Sequence, residues 1–142
     1  MIVPDINLLI YAHNEAFAEH ATAREWFHTI MTGTEPVGFS SVVVLGFVRI
    51  LSSTTAVSRP GRPEELLRIA GGWLACPVAR RVEAAADYPE VMQHLFASTG
   101  AGARLTTDAY LATVAISHNA VLYSNDRDFE RFPGLRLENP LG

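Results

Sequence analysis

The chain has 142 residues, 49% apolar and 18% charged, enough for one sizeable core and too few for two ordinary domains, so residues 1–142 are expected to form a single compact domain. Its formal net charge of −4, with all 11 basic side chains arginine, excludes a tight non-specific polyanion binder, because such binding is driven by releasing counterions from phosphates neutralised by many cations. No stretch reaches the roughly 20 apolar residues that a bilayer core requires, the start lacks a basic leader, and the one cysteine, Cys76, has no partner for an internal disulfide. No membrane association and a cytoplasmic location are the expectation.

Met1 to Val3 is apolar and leads into Pro4-Asp5, after which Leu8, Leu9 and Ala12 recur at helical spacing: strand, turn, helix. His20 to Met31 carries Ala23, Trp26, Phe27 and Ile30 at i, i+3, i+4 and i+7, an amphipathic helix broken by Gly33 and Pro36. Val37-Gly38-Phe39 is a strand candidate, and Ser40 or Ser41 can cap the apolar run Val42 to Leu51, long enough to be helical. Ser52 to Arg62 has no periodicity and is expected to be the most mobile loop. Pro63 and the acidic Glu64-Glu65 suit the first turn of a helix packed through Leu66, Ala70 and Trp73 and stopped by Pro77. Arg81 to Ala84 reads as a weak strand, Tyr88 to Ala97 as a helix and Gly100 to Gly102 as a break. Asp108 opens a helix with Leu111, Ala112, Ala115 and Ile116 on one face; His118-Asn119 ends it, and Ala120 to Tyr123 is a buried strand. A turn at Ser124 to Asp128, a short helical piece at Phe129 to Phe132 and a strand at Leu135 to Leu137 complete the chain. Short apolar strands alternating with helices predict an α/β fold in three layers, a short central parallel sheet with helices on both faces.

Parallel sheets place ligands beyond the carboxyl ends of their strands. Asp5 and Asp126 each follow a predicted strand, and Asp108 begins a helix. Singly, each reads as an N-cap. Together they ask for a cation or a shared proton, because neighbouring carboxylates repel. Oxygen ligands without His or Cys suit Mg2+ or Mn2+, which keep several waters, and the chemistry such a site supports is phosphoryl transfer.

Val3-Pro4-Asp5-Ile6-Asn7-Leu8-Leu9-Ile10-Tyr11-Ala12 resembles the first strand and helix of PIN domains, with Asp5 at the first acidic position and Asn7 at the accompanying polar one. Thr106-Thr107-Asp108-Ala109-Tyr110-Leu111-Ala112 is similar to the family's third acidic motif, giving Asp108. Ser124-Asn125-Asp126-Arg127-Asp128-Phe129 is similar to the last, giving Asp126 and Asp128, and the ending from Arg131 to Leu141 resembles that of VapC-type toxins. The resemblance spans nearly the whole chain. It implies a metal-dependent ribonuclease with Asp5, Asp108 and Asp126 as catalytic residues and, with Asp128, as ligands of Mg2+ or Mn2+. It also implies an RNA substrate, a cognate antitoxin and a homodimer or antitoxin complex, the last also suggested by the apolar surface of Trp26, Phe27 and Trp73.

One position departs from the family. A glutamate three residues before an arginine is common in the third helix, and Gly46 stands there, before Arg49. Three alternatives stay open: Asp128 completes the site, fewer protein ligands and more water hold the metal, or catalysis is weak. A degenerate PIN domain that binds protein or RNA without cleaving it is the competing function. Arg49 either pairs with the acidic site or reaches solvent. Thr107, Ser124 and Ser40 could support phosphate or water, with capping as the ordinary role. The five histidines are expected on helix surfaces or at caps, His13 being near enough to approach an RNA strand, and Arg59, Arg62, Arg104 and Arg127 could meet phosphates.

Overall fold

A computed structural model describes all 142 residues. Five strands, β1 (Ile2–Pro4), β2 (Val37–Phe39), β3 (Ala79–Arg81), β4 (Val121–Tyr123) and β5 (Arg136–Glu138), alternate with six α-helices: α1 (Ile6–His13), α2 (His20–Met31), α3 (Ser41–Leu51), α4 (Pro63–Leu74), α5 (Tyr88–Thr99) and α6 (Thr106–Ser117). The strands pair in the order β3-β2-β1-β4-β5, every pair parallel. Helices cover both faces of the sheet, the three-layer α/β arrangement expected from the pattern of elements.

The topology fixes where a site can form. From β1 the chain moves one way to β2 and β3, then crosses back through α5 and α6 to place β4 on the other side of β1. The switch point therefore lies between β1 and β4, the crevice at which open parallel sheets take ligands. Val3 and Leu122, aligned across that pair, are wholly buried, as are Leu9, Phe47 and Ala112 from the covering helices. Four polar residues are buried, Asp5, Ser40, Thr113 and Ser124. Three of them follow the carboxyl ends of β1, β2 and β4. Buried polar groups are the informative exceptions in a core, and these gather at one edge.

Several local expectations shift. The third strand is Ala79–Arg81 rather than Arg81 to Ala84: its weak side-chain pattern carries no register, which parallel pairing of Gly38 with Arg80 supplies. Asp108 does not open α6; a 3-10 turn at Ala103–Leu105 runs into the helix at Thr106 and leaves Asp108 in its first turn. The final helical piece begins at Arg127. Ser40 precedes α3 but makes no side-chain cap bond. His13, expected on a helix surface, is half-buried against Phe27, Phe47 and Trp73, and the Trp73 indole N–H donates to its Nε2 at 3.1 Å. Trp73 lies in the core, 5% exposed, and so contributes no free apolar surface for a partner. Ser52 to Arg62 is irregular but anchored: Val57 is buried and the Gly61 amide donates to the Leu51 carbonyl at 2.8 Å.

Candidate active site

Parallel register aligns Pro4 with Tyr123, and the Asp5 amide extends the ladder by donating to the Tyr123 carbonyl at 2.9 Å. Asp5 and Ser124 therefore leave the sheet side by side. The Ser124 hydroxyl donates to Asp5 Oδ2 at 2.7 Å, and the Ile6 amide donates to Oδ1 at 2.7 Å. Ser124 Oγ in turn accepts from the Asp126 amide at 2.9 Å, and Asp126 Oδ1 accepts from the Asp128 amide at 2.9 Å. The turn after β4 is thus wired to the first carboxylate, and Asp5 has both oxygens engaged while only 4% exposed.

Asp108 approaches from α6 and is half-buried. Burial pushes the Asp5 carboxyl up to about 6; the Ser124 and Ile6 bonds oppose this, and the charges of Asp108 and Asp126 add to it. Asp108 is also pushed up to about 6, by burial first, then by Asp126 and Asp128, with Arg104 working against them. Asp5, Asp108 and Asp126 are thus close enough to feel one another's charge, although more than 100 positions separate the first from the last. No three acidic, His or Cys side chains close around one point as a finished metal cage. The donor set still fits a hard cation that retains waters and takes few carboxylates, and the raised proton affinities, due first to burial, are increased further by the neighbouring carboxylates.

The other residues singled out in the sequence divide. Asp128 accepts from Arg104 at 3.0 Å and lies 3.8 Å from Arg131, so its carboxylate is shared with two guanidiniums. Ser124 is at the centre of the hydrogen-bond chain. Asn7 is half-buried on α1, two residues past Asp5, and Thr107 is exposed beside Asp108. Arg49 is exposed and forms none of the ion pairs, so of its two alternatives it takes solvent. Gly46 is buried: a Cβ there would lie 2.6 Å from Ile6 Cδ1, so α3 packs directly on the residue that follows Asp5.

Glu83 is a site-supporting residue that the sequence pattern does not reveal. Its Oε1 accepts from the Ser41 amide at 2.6 Å, and its Oε2 accepts from Tyr110 Oη at 2.6 Å and from Ser40 Oγ at 3.3 Å. It caps α3 from the end of β3 and ties that helix to α6, two residues past Asp108. Burial works upward on its carboxyl, but the bonds from Ser41, Tyr110 and Ser40 together hold it below its ordinary value. The one signal is an acid just past a strand end, as at Asp5, and the indistinct limits of the third strand conceal it.

A family model for the PIN domain matches residues 2–135, and the chain belongs to that family. Its curated relatives include ribonuclease VapC37 of Mycobacterium tuberculosis, 34% identical over 140 residues that cover 99% of this chain and 97% of the relative. Ribonuclease VapC33 of the same species is 32% identical over 141 residues, covering 99% of each chain. Among solved structures, Mycobacterium tuberculosis VapC20, described as a sarcin-ricin loop cleaving toxin, superposes with a TM-score of 0.70 at 19% identity, covering 96% of this chain and 99% of that one. A chain of VapBC2 from Rickettsia felis, solved on a DNA fragment from its promoter, superposes at 0.67 with 21% identity and 98% coverage of both. These structures share the fold.

Proposed function

We propose that this chain is a metal-dependent endoribonuclease and the toxin of a type II toxin–antitoxin pair, acting as one domain over residues 1–142. The observation that carries the proposal is the gathering of Asp5, Asp108 and Asp126 at the β1–β4 switch point, with Asp5 and Asp108 both pushed up to about 6. The names of the relatives support ribonuclease activity. An antitoxin partner is supported by likeness to a chain solved as part of VapBC2. No helix is long and apolar enough to cross a membrane, and a cytoplasmic homodimer or antitoxin complex is part of the same reading.

Asp5, Asp108 and Asp126 would hold Mg2+ or Mn2+, with Asp128 as an outer member already bound to Arg104. When bound, such a cation supplies Lewis acidity, making water a better nucleophile near neutral pH and offsetting charge that develops on the phosphate. The chain's own residues supply position. Ser124 and the Ile6 amide fix both oxygens of Asp5, and the Ser124–Asp126–Asp128 bonds hold the turn after β4. Arg104 places a guanidinium beside the acids, where it can meet a phosphate oxygen.

Gly46 favours the competing reading, a PIN domain that binds without cutting. Incubating the chain with structured RNA, single-stranded DNA and a phosphomonoester, each with Mg2+, Mn2+ or EDTA, separates the readings. RNA cleavage that needs metal and disappears in folded Asp5→Asn and Asp108→Asn proteins is the expected result. RNA binding without cleavage under any metal would establish the competitor, and preferential hydrolysis of DNA or the monoester would reassign the substrate.

A further inference from the structure

An open cleft of about 670 Å³ lies where the C-terminal end of α1, helix α2 and Arg59 of the Ser52–Arg62 segment meet, and Glu15, His20, Arg24, His28 and Arg59 line it together with His13. Its charge is unlike that of the whole chain. Two arginines and the histidines face a single acid, in a protein of net charge −4. Arg24 and Arg59 are exposed and have no carboxylate partner, which is true also of Arg49, Arg68, Arg80, Arg81 and Arg136; what sets the two apart is that they line one cleft together.

The histidines have distinct roles. His13 Nδ1 meets the Leu9 carbonyl at 2.8 Å and so carries the hydrogen, while its Nε2 accepts from Trp73; both nitrogens are used and the ring is a neutral wall. Burial holds it below its ordinary value, the Leu9 bond opposes, and the positive charges of His20 and Arg24 add to the lowering. His20 Nδ1 meets the Tyr11 carbonyl at 2.7 Å. A carbonyl accepts only, so that nitrogen donates and Nε2 is the free ring atom, a second donor when the ring is protonated. With His13 fully engaged, no three ligands gather for a metal. The chemistry that suits two unpaired guanidiniums and one imidazole is a phosphate group, which arginine meets with paired donors.

We propose that this cleft binds a backbone phosphate of the RNA substrate at a distance from the cut, through Arg24, Arg59 and His20. The inference rests on the ribonuclease reading of the acidic site. Helix α1 connects the two places: Asp5 precedes it and His13 is its last residue. At about 1.5 Å per residue the cleft lies roughly 12 Å along the helix from Asp5, within reach of a few nucleotides of one strand. The acidic site repels a polyanion, so attraction has to come from local cations elsewhere on the surface. An acidic peptide would satisfy the same charges but gains nothing from proximity to a phosphoryl-transfer site.

The test uses the intact chain and a labelled single-stranded RNA. Binding is read by anisotropy in EDTA across a salt series, and cleavage is read separately in Mg2+. The Arg24→Ala/Arg59→Ala pair should bind about five-fold or more weakly, with the slope of log affinity against log salt shallower by about 0.7 for each phosphate that is no longer neutralised. In cleavage, KM should rise by more than kcat falls, lysine at both positions should restore part of the affinity, and exposed Arg68→Ala on α4 should behave as wild type. Both arginines lie on the surface, so circular dichroism should show the fold retained. Wild-type affinity and salt slope in the double alanine protein, with RNA cleavage intact, would overturn the cleft and leave the ribonuclease reading standing. Unchanged RNA affinity with weakened binding of an acidic antitoxin peptide would overturn it in favour of a protein-docking role. Arginine-dependent RNA binding by a chain that never cleaves would support the cleft and sink the ribonuclease reading alone.

Discussion

Ser124 donates its hydroxyl to Asp5 Oδ2 at 2.7 Å across 119 positions of sequence, and Ser124 Oγ itself accepts from the Asp126 amide. This hydroxyl works against the burial that raises the Asp5 proton affinity. Ser124→Ala should therefore push the Asp5 carboxyl further up and move the acid limb of the pH–rate profile to higher pH. It also leaves a buried carboxylate and an amide short of a partner, at a cost of about 1.5–3 kcal/mol near neutral pH. A pH–rate profile and a denaturant titration check both, and an unmoved acid limb would remove Ser124 from the site.

The two raised acids set a pH dependence of stability. Asp5 and Asp108 go from 3.8 to about 6 on folding, so between about pH 4 and 6 the folded chain holds protons that the unfolded chain has released. Metal-free stability from these groups is fully present at low pH and falls as pH rises through that window. His13, held below 6.5 by burial, acts oppositely: its contribution is present above that value and is lost as pH falls. Melting wild type and Asp5→Asn in EDTA isolates the acid. Wild type should lose thermal stability relative to the variant as pH rises to 7, and Mg2+ at pH 7 should recover more of it in wild type. A pH-independent difference would count against the assignment.

Glu83 makes a link that activity measurements can read. Tyr110, two residues past Asp108, donates to Glu83 Oε2 at 2.6 Å, and Glu83 also receives the first amide of α3. Tyr110→Phe should cost about 1 kcal/mol, an exposed carboxylate losing one of several donors, and should lower kcat several-fold by loosening the α6 turn that carries Asp108. Glu83 itself is depressed, so its contribution is present above the unfolded carboxyl value and is lost as pH falls. Melts at pH 7 and pH 4 should therefore show a smaller Tyr110→Phe effect at the lower pH. Full activity in a destabilised variant would confine Glu83 to capping.

What is legible in the sequence follows from how local each signal is. Asp5 can be placed because an apolar run, a proline and a helical repeat surround it within a dozen residues. Parallel pairing of the strands follows from the alternation of elements, although their spatial order and the boundaries of β3 do not, since Ala79-Arg80-Arg81 has no apolar pattern of its own. His13 is buried rather than on the surface because its partner, Trp73, lies 60 positions away, and helical periodicity carries no information across that gap. The same reason hides Glu83, whose partners are 27 to 43 positions distant. The cationic cleft is only partly legible: Arg59 stands out as a basic residue in an irregular segment, but Arg24 is an ordinary surface residue until α2 and the Ser52–Arg62 segment bring the two to the end of α1.

Gly46 decides between a missing ligand and a packing requirement. Replacing glycine inside a helix by alanine gains about 1 kcal/mol, whereas forcing extra atoms into a packed interface costs typically about 1–3 kcal/mol. Here a Cβ would lie 2.6 Å from Ile6 Cδ1 and 3.2 Å from its Cγ1. The terminal methyl can swing, but Cγ1 has less freedom, and Ile6 is the residue whose amide holds Asp5 Oδ1. The packing cost therefore falls on the geometry of the first acid. Gly46→Glu alone should fold, lose up to about 2 kcal/mol of stability and cleave more slowly than wild type. Adding Ile6→Ala, which clears the contact, separates sterics from chemistry. If Gly46 serves packing, the double variant recovers activity towards the wild-type rate without exceeding it and shows an unchanged metal requirement in a Mg2+ titration. A double variant that is faster than wild type and saturates at lower Mg2+ would show that the natural site lacks one carboxylate and that this helix face can supply it.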